Sequence, residues 1–486
     1  MMPRSLAAAV RLGSLVGVVL GASACATNPV SGGKDFVMMS EDQEIQLGRA
    51  NDPKIRQQFG VYDDPKLQAY VQQVGERVAA NSHRPGLVYR FAVLDSPDVN
   101  AFALPGGYIY ITRGILAYLN SEAELAAVLG HEVGHVTARH SVRQYSTASA
   151  GQILGAVLLK SQAAADLFNV LGGALLSGYG RDHELEADRL GAEYLARNGY
   201  DPEAMMEVVG VLKNQEEFEK ERAKAEGRQP RIYHGVFATH PKADQRLQEV
   251  VAQAKQFKTT TTTKIGREEY LKHIDGMIYG DSAKTGVRHG ASFYHGDMNF
   301  AVDFPKGWRL ENSPKAVTAQ RPERDAFIEL HAEDLNRRVT PQEFVKQQLK
   351  LDLKDGAPIP GIDMPSYTGT TIASTPFGRR KTRVSVVFLD NRAFLIAGAA
   401  KSDEIHARTD EEFVRTAKSL RPLKPAEKQL ATGLKLRTLR AGSGDSFAAL
   451  AKKSPLSGYG ESVLRLINDK YPNGEPAPGE TIKTIQ

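Results

Sequence analysis

The chain has 486 residues, 41% of them hydrophobic and 24% charged, with 44 Gly, 24 Pro and a single Cys. That length exceeds one hydrophobic core and points to several domains of about 150 residues each, while the composition excludes wholesale disorder, collagen and a polytopic membrane protein. One cysteine excludes a disulfide framework or Cys-rich zinc module, and a net charge of +5 spread along the chain, with no recognition module, excludes nucleic acid as the expected partner.

Residues 1–24 read as a signal peptide. Arg4 and Arg11 supply a positive start, no acidic residue precedes Asp35, and residues 12–24 are apolar or small. Ala22-Ser23-Ala24-Cys25 resembles the lipobox of a bacterial lipoprotein, with Ala22 in place of the usual Leu. Acylation of Cys25 is the favoured reading, because an exported protein gains little from one unpaired thiol. Cleavage after Ala24 that leaves a free thiol is the alternative. Ala26, rather than Asp, after the cysteine implies the outer membrane, so the expected location is periplasmic and lipid-anchored, with residues 25–40 as the anchor segment. Elsewhere no run of about 20 uninterrupted apolar residues occurs. The nearest, residues 152–179, carries Lys160 and Asp166 and reads as helices covering a core.

Residues 41–257 show helical periodicity and hold seven of the twelve histidines. Within them Tyr108-Ile109-Tyr110-Ile111-Thr112 alternates as a two-faced strand. Ser121 and Glu124 then form a capping-box pattern ahead of Leu125, Val128 and Leu129, which repeat at helical spacing. The helix so predicted carries His131-Glu132-Val133-Gly134-His135. Residues four apart share a helix face, so both imidazoles can address one metal ion. Glu132 is offset by about 100°, the position at which the glutamate of H-E-x-x-H proteases stands beside the water as general base. Gly134 costs about 1 kcal/mol relative to Ala inside a helix, which predicts a close neighbour. A surface helix with two solvated histidines is the plain alternative.

A zinc hydrolase needs a third protein ligand and an open fourth position. His140 lies nine residues from His131, about 180° round a helix, and reads as structural. The better third ligand is Glu184, in Arg181-Asp182-His183-Glu184-Leu185-Glu186-Ala187-Asp188. Asp188 shares its face and can accept a hydrogen bond from a ligand histidine, and Ala187 is small enough for close helix packing. Asp182 and Glu186 read as a solvated charged face.

Together these motifs resemble the zinc metallopeptidase family that contains HtpX, the CAAX prenyl proteases and a group of periplasmic lipoprotein proteases. The resemblance covers roughly residues 41–255 and rests on Asn100-Ala101-Phe102-Ala103-Leu104-Pro105-Gly106-Gly107, HEVGH, Glu184 to Asp188, and Thr239-His240-Pro241 with Arg246. It implies one zinc ion per chain on His131, His135 and Glu184, with Glu132 as base and protein or peptide substrates. Lacking the multiple membrane helices of HtpX and the prenyl proteases, the chain resembles the soluble, lipid-anchored branch. In zinc proteases an edge strand beside the catalytic helix pairs with extended substrate, which gives Asn100, Ala101, Phe102, Gly106 and Gly107 a substrate-docking reading beside that of a plain hairpin. His240 has three readings: donor to the oxyanion, occupant of the open zinc position in a latent enzyme, or structural residue. Arg246 reads as a brace paired with an acidic residue.

The five threonines from Thr259 to Thr263 mark a linker over residues 258–265. Residues 266–423 follow as a small α+β domain, with strands expected at 300–304, 327–331, 382–389 and 393–400 and helices at 341–353 and 409–420. Its histidines lack ligand spacing, Trp308 reads as core, and docking of a substrate or partner is its expected role. A second linker spans 424–433. Residues 434–486 resemble a divergent LysM module: a strand at 436–439, Gly442-Ser443-Gly444-Asp445-Ser446 at the turn, and Pro478-Gly479-Glu480 near the end. That resemblance implies peptidoglycan as a partner; a cap without sugar binding is the alternative. The expected fold is therefore α+β and multidomain: a mainly helical zincin-type domain with a small β-sheet, an α+β domain and a LysM-like domain. The expected function is that of a zinc-dependent envelope endopeptidase clearing misfolded or unassembled proteins, with a chaperone-like assembly lipoprotein of latent protease activity as the alternative.

Overall fold

A computed structural model of the chain describes residues 25–146, 179–226, 230, 243–257, 263–313, 316–456 and 458–486. The signal segment, nearly all of residues 152–179, His240 and four of the five threonines lie outside the described residues. The described parts of Met1–Met277 with Leu436–Gln486 form one unit, and Ile278–Lys435 form a second. The architecture is mixed α and β in more than one unit, as the sequence implies.

In the first unit β1 (Cys25–Thr27) pairs antiparallel with β2 (Lys34–Phe36). Helix α1 (Glu41–Phe59) starts at a reciprocal cap between Ser40 and Gln43, with Glu41, Asp42 and Glu44 in the first turn, where the helix dipole favours negative charge. Helix α2 (Pro65–Ala80) starts at Asp64, whose carboxylate accepts the N–H groups of Lys66 and Leu67, with proline at a position whose N–H is spare. Strands β3 (Arg90–Leu94), β4 (Ala101–Leu104) and β5 (Tyr108–Thr112) make a sheet in the order β3-β5-β4, with β3 parallel and β4 antiparallel to β5. The alternation of β5 serves two buried faces. Tyr108 and Tyr110, with Phe102 and Leu104, pack on Ile55 and Phe59 of α1, and the Tyr110 hydroxyl donates to Asp52 at 2.7 Å. Sequence periodicity cannot show that α1 covers this face.

Helices α3 (Arg113–Tyr118), α4 (Glu122–Thr137), α5 (Arg181–Arg197) and α6 (Ala204–Ala225) follow. All sixteen residues of α4 are buried, which marks it as the central helix rather than a surface one. It crosses α5 at small residues. A Cβ on Gly134 would lie 3.0 Å from the Ala187 carbonyl oxygen, and one on Gly191 would lie 3.0 Å from the His131 nitrogen. The close neighbour expected at Gly134 is thus α5, and Ala187 provides the expected small contact.

The last fifty residues, expected as a unit of their own, pack within this first unit. Residues 436–440 pair antiparallel with 481–485, with helices Phe447–Lys453 and Gly460–Ile467 between them, a β-α-α-β order. Lys483 is fully buried, and its ammonium donates to the carbonyls of Ala117 at 2.9 Å and Leu119 at 2.6 Å, just before α4. Phe218 of α6 meets Tyr459 and Tyr471 edge-on, and the Tyr471 hydroxyl donates to Glu221 at 2.7 Å.

The second unit holds a seven-stranded antiparallel sheet in the order Arg309–Asn312, Val317–Gln320, Ala326–Asp334, Arg392–Ala400, Gly378–Leu389, Ser366–Thr375, Lys354–Ala357. Helix Asp403–Ser419 packs on it through Phe413 and Ala417, and Trp308 is part of that core. This helix starts six residues earlier than expected, because Ser402 caps it by accepting the Ile405 N–H. The helix expected over 341–353 ends early: a turn at Pro341–Glu343 runs into one π-helical turn, Phe344–Gln348. Leu349, Leu351 and Leu353 all pack on the cluster of Phe344, Val345, Val386 and Phe388. The helix stops where Lys350 takes φ 53°, a left-handed conformation that a right-handed helix cannot continue through.

Candidate metal centre

The site begins at the start of α4. The Ser121 hydroxyl accepts the Glu124 N–H at 3.1 Å and donates to the Glu124 carboxylate at 3.2 Å. That carboxylate accepts the N–H of Asn120, one residue before the cap, at 2.9 Å. Two turns on, His131 and His135 share a face, with Nε2 atoms 3.0 Å apart. From α5, Glu184 Oε2 comes within 3.4 Å of His131 Nε2 and 3.9 Å of His135 Nε2. Bonds of zinc length in a tetrahedral site hold ligand atoms about 3.3 Å apart, so the triangle fits one small cation.

Each donor is held from behind. His131 Nδ1 meets Asp188 Oδ1 at 2.9 Å, the contact expected of Asp188. Glu184 Oε1 accepts the Tyr179 N–H at 3.0 Å, leaving Oε2 for the triangle. His135 Nδ1 lies 2.8 Å from His140 Nδ1, and the Tyr179 ring stacks on the His135 ring at 4.1 Å. Electrostatics suit a cation. Burial opposes charge on His131, yet Asp188 and Glu184 outweigh it and raise the imidazole well above its ordinary range. Burial lowers His135 well below that range, leaving a neutral ring with a lone pair to offer. Glu132, 3% exposed, is pushed up to about 7 by burial, the range that suits a group taking and returning a proton near neutrality.

The structure thus brings together His131, Glu132, His135, Glu184 and Asp188. Asn100, Ala101 and Phe102 lie at and within the edge strand of the small sheet and are buried. Gly106 and Gly107 have φ of 78° and 88°, and a Cβ would lie 2.6 Å from Ile45 Cα or 2.8 Å from the Val88 oxygen, so the fold itself requires both glycines. His240 lies outside the described residues. Arg246 sits on helix Ala243–Ala254, and its side chain lies outside them too. Cys25 opens β1.

Two residues differ from expectation. His140, expected as a structural residue on the far side of the helix, touches His135 of the donor triangle. The helical count of 180° fails because α4 ends at Thr137 and Arg139 takes φ 56°, turning His140 back toward the site. Glu186, expected on a solvated face, is half-buried, and its Oε2 meets His140 Nε2 and Arg143 NH1, both at 3.0 Å. Sequence reasoning also missed Glu44, whose carboxylate binds Arg84 at 3.0 Å and Arg139 at 2.9 Å while buried, tying α1 to the end of α4. No local pattern announces such a contact; the signal available for Tyr179 was its place just before Glu184.

The model of Peptidase family M48 matches residues 65–254, which contain the whole donor triangle. Beta-barrel assembly-enhancing protease of Yersinia pestis is 28% identical over 318 residues, covering 60% of this chain and 63% of that protein. The protein of that name in Escherichia coli K12 is 28% identical over 232 residues, covering 45% of each chain. Mitochondrial metalloendopeptidase OMA1 of Arabidopsis thaliana is 36% identical over 162 residues, covering 33% of each. This chain therefore spans between 45% and 63% of the length of these bacterial relatives.

Proposed function

We propose that this chain is a zinc-dependent endopeptidase of the bacterial cell envelope that hydrolyses peptide bonds in misfolded or unassembled proteins. The convergence of His131 Nε2, His135 Nε2 and Glu184 Oε2 beside the buried Glu132 carries the reading. The M48 match and the relatives named as proteases support it.

Those three atoms would hold the ion, and the chemistry it supplies when bound is Lewis-acid activation of the scissile carbonyl and of water. The chain's own part is proton transfer and positioning. Glu132 takes a proton from the attacking water and hands it to the leaving amine. Asp188 holds the proton on His131 Nδ1 so that Nε2 faces the ion. The strand Ala101–Leu104 aligns extended substrate, and His240 serves the oxyanion or, in a latent state, the open zinc position. Arg246 braces the site. Cys25 carries the lipid that tethers the enzyme at the periplasmic face of the outer membrane. The C-terminal β-α-α-β segment, whose order supports the LysM-like reading, contacts peptidoglycan. A second reading, chaperone-like assembly with protease activity held latent, draws on the near-complete burial of His131, Glu132 and His135.

Casein cleavage by the purified chain, with zinc or chelator, tests the proposal beside Glu132→Gln. Cleavage should require zinc and vanish in the variant while zinc stays bound at one per chain. Undiminished cleavage by Glu132→Gln refutes the mechanism, and bound zinc without cleavage favours the latent reading.

A further inference from the structure

Two imidazoles whose Nδ1 atoms lie 2.8 Å apart share one proton, and where it sits decides what His135 can do. We infer that His140 and Glu186 form a relay that fixes the tautomer of His135, making both positioning residues for the zinc site; this rests on the zinc reading above.

The order of donors follows from the far end of the chain of contacts. Glu186 Oε2 accepts from Arg143 and faces His140 Nε2 at 3.0 Å. A carboxylate at that distance requires a proton on Nε2, since the opposite tautomer would set a lone pair against an anion. Neutral His140 then has a bare Nδ1, which must accept from His135 Nδ1–H. His135 in turn has a bare Nε2, 3.0 Å from His131 Nε2 and 3.9 Å from Glu184 Oε2. The reverse order would place a proton on His135 Nε2, inside the donor triangle, and block it. A second proton on His140 would aim Nδ1–H at His135 Nδ1 and so leave neutral His135 with the same proton on Nε2. The rings are fixed in orientation by stacking, Tyr179 on His135 at 4.1 Å and His183 on His140 at 4.3 Å. His131 thus leans on one carboxylate directly, through Asp188, and His135 on another through an intervening histidine.

The test is zinc affinity of the full chain, by competition with a chromophoric chelator, with circular dichroism to follow folding. His140→Phe and Glu186→Leu should weaken zinc binding about 10- to 100-fold, the range for loss of such supporting groups. Glu186→Gln, whose amide oxygen still accepts from His140, should lose far less. Wild-type affinity in His140→Phe, or equal losses in Glu186→Gln and Glu186→Leu, overturns the relay. Should the variants fail to fold, nitrogen NMR of the zinc-loaded unchanged chain decides: a proton on His135 Nδ1 and His140 Nε2 supports the relay, and any other arrangement overturns it. Failure of the unchanged chain to bind zinc, or equal binding by His131→Ala, refutes the zinc reading and the relay with it. Loss confined to the relay test leaves the zinc reading standing.

Discussion

Replacement of Lys483 by methionine removes one buried ammonium and keeps most of the stem. Lys483 donates to Ala117 and Leu119 at 2.9 and 2.6 Å, and Glu124 is the nearby carboxylate that favours its charge. Glu124 in turn accepts from Asn120 at the start of α4, and burial pushes it up to about 7. The variant leaves two carbonyls without this donor, at about 1–3 kcal/mol for each group stranded out of water. It also strips Glu124 of its cation, while relieving the cost of burying the ammonium, which burial holds well below its ordinary range. The two stranded carbonyls set the scale, and Glu124 can answer the loss of the nearby charge by taking a proton near pH 7, so a loss toward the lower end, about 3 kcal/mol, is expected. Urea unfolding at pH 7 followed by far-ultraviolet circular dichroism measures it. The single tryptophan, Trp308, lies in the second unit and gives a separate fluorescence reference. In a double-mutant cycle, Lys483→Met with Glu124→Gln should cost at least about 1 kcal/mol less than the sum of the single changes. A loss under about 1 kcal/mol for Lys483→Met, or strict additivity, refutes the argument that this lysine ties the C-terminal strand to the start of α4.

Gly134→Val puts a branched side chain where even a Cβ would lie 3.0 Å from the Ala187 oxygen, so α4 and α5 must separate. Overpacking of that kind costs about 1–3 kcal/mol, and zinc affinity should fall as Glu184 moves from the histidines; an unchanged urea midpoint and affinity would show that the crossing yields freely. In the second unit, burial lowers His295 from 6.5 to about 4. Below pH 6.5 the unfolded chain takes up a proton that the folded one refuses until about pH 4. Stability is therefore full above 6.5 and falls toward pH 4 by up to about 1.4 kcal/mol per pH unit. Trp308-monitored unfolding should show this slope, and His295→Asn should flatten it; equal slopes in both would assign the loss to other groups.

What could be read without the fold was what depends on neighbours within a few residues. The spacing of His131 and His135 commits two imidazoles to one face because helix geometry is local, and the Ser121–Glu124 pattern announces where that helix begins. Gly134, an unfavourable residue in a helix, announced a close crossing, and Glu184 with Asp188 announced a second acidic face. Tertiary structure decided everything that depends on how distant segments meet. Helix α1 turned the tyrosine face of β5 inward, a fact absent from its alternation. One left-handed residue, Arg139, undid a count of helical angles and returned His140 to the site. Glu186, which its charge suggested for solvent alone, meets His140 and Arg143 of the segment after α4. A lysine near the end of the chain reads as surface by type, yet Lys483 is buried because the carbonyls of Ala117 and Leu119 replace water it leaves. Periodicity and caps are written in the sequence; the partner that satisfies a buried polar group belongs to the fold, because it is supplied by a segment hundreds of residues away.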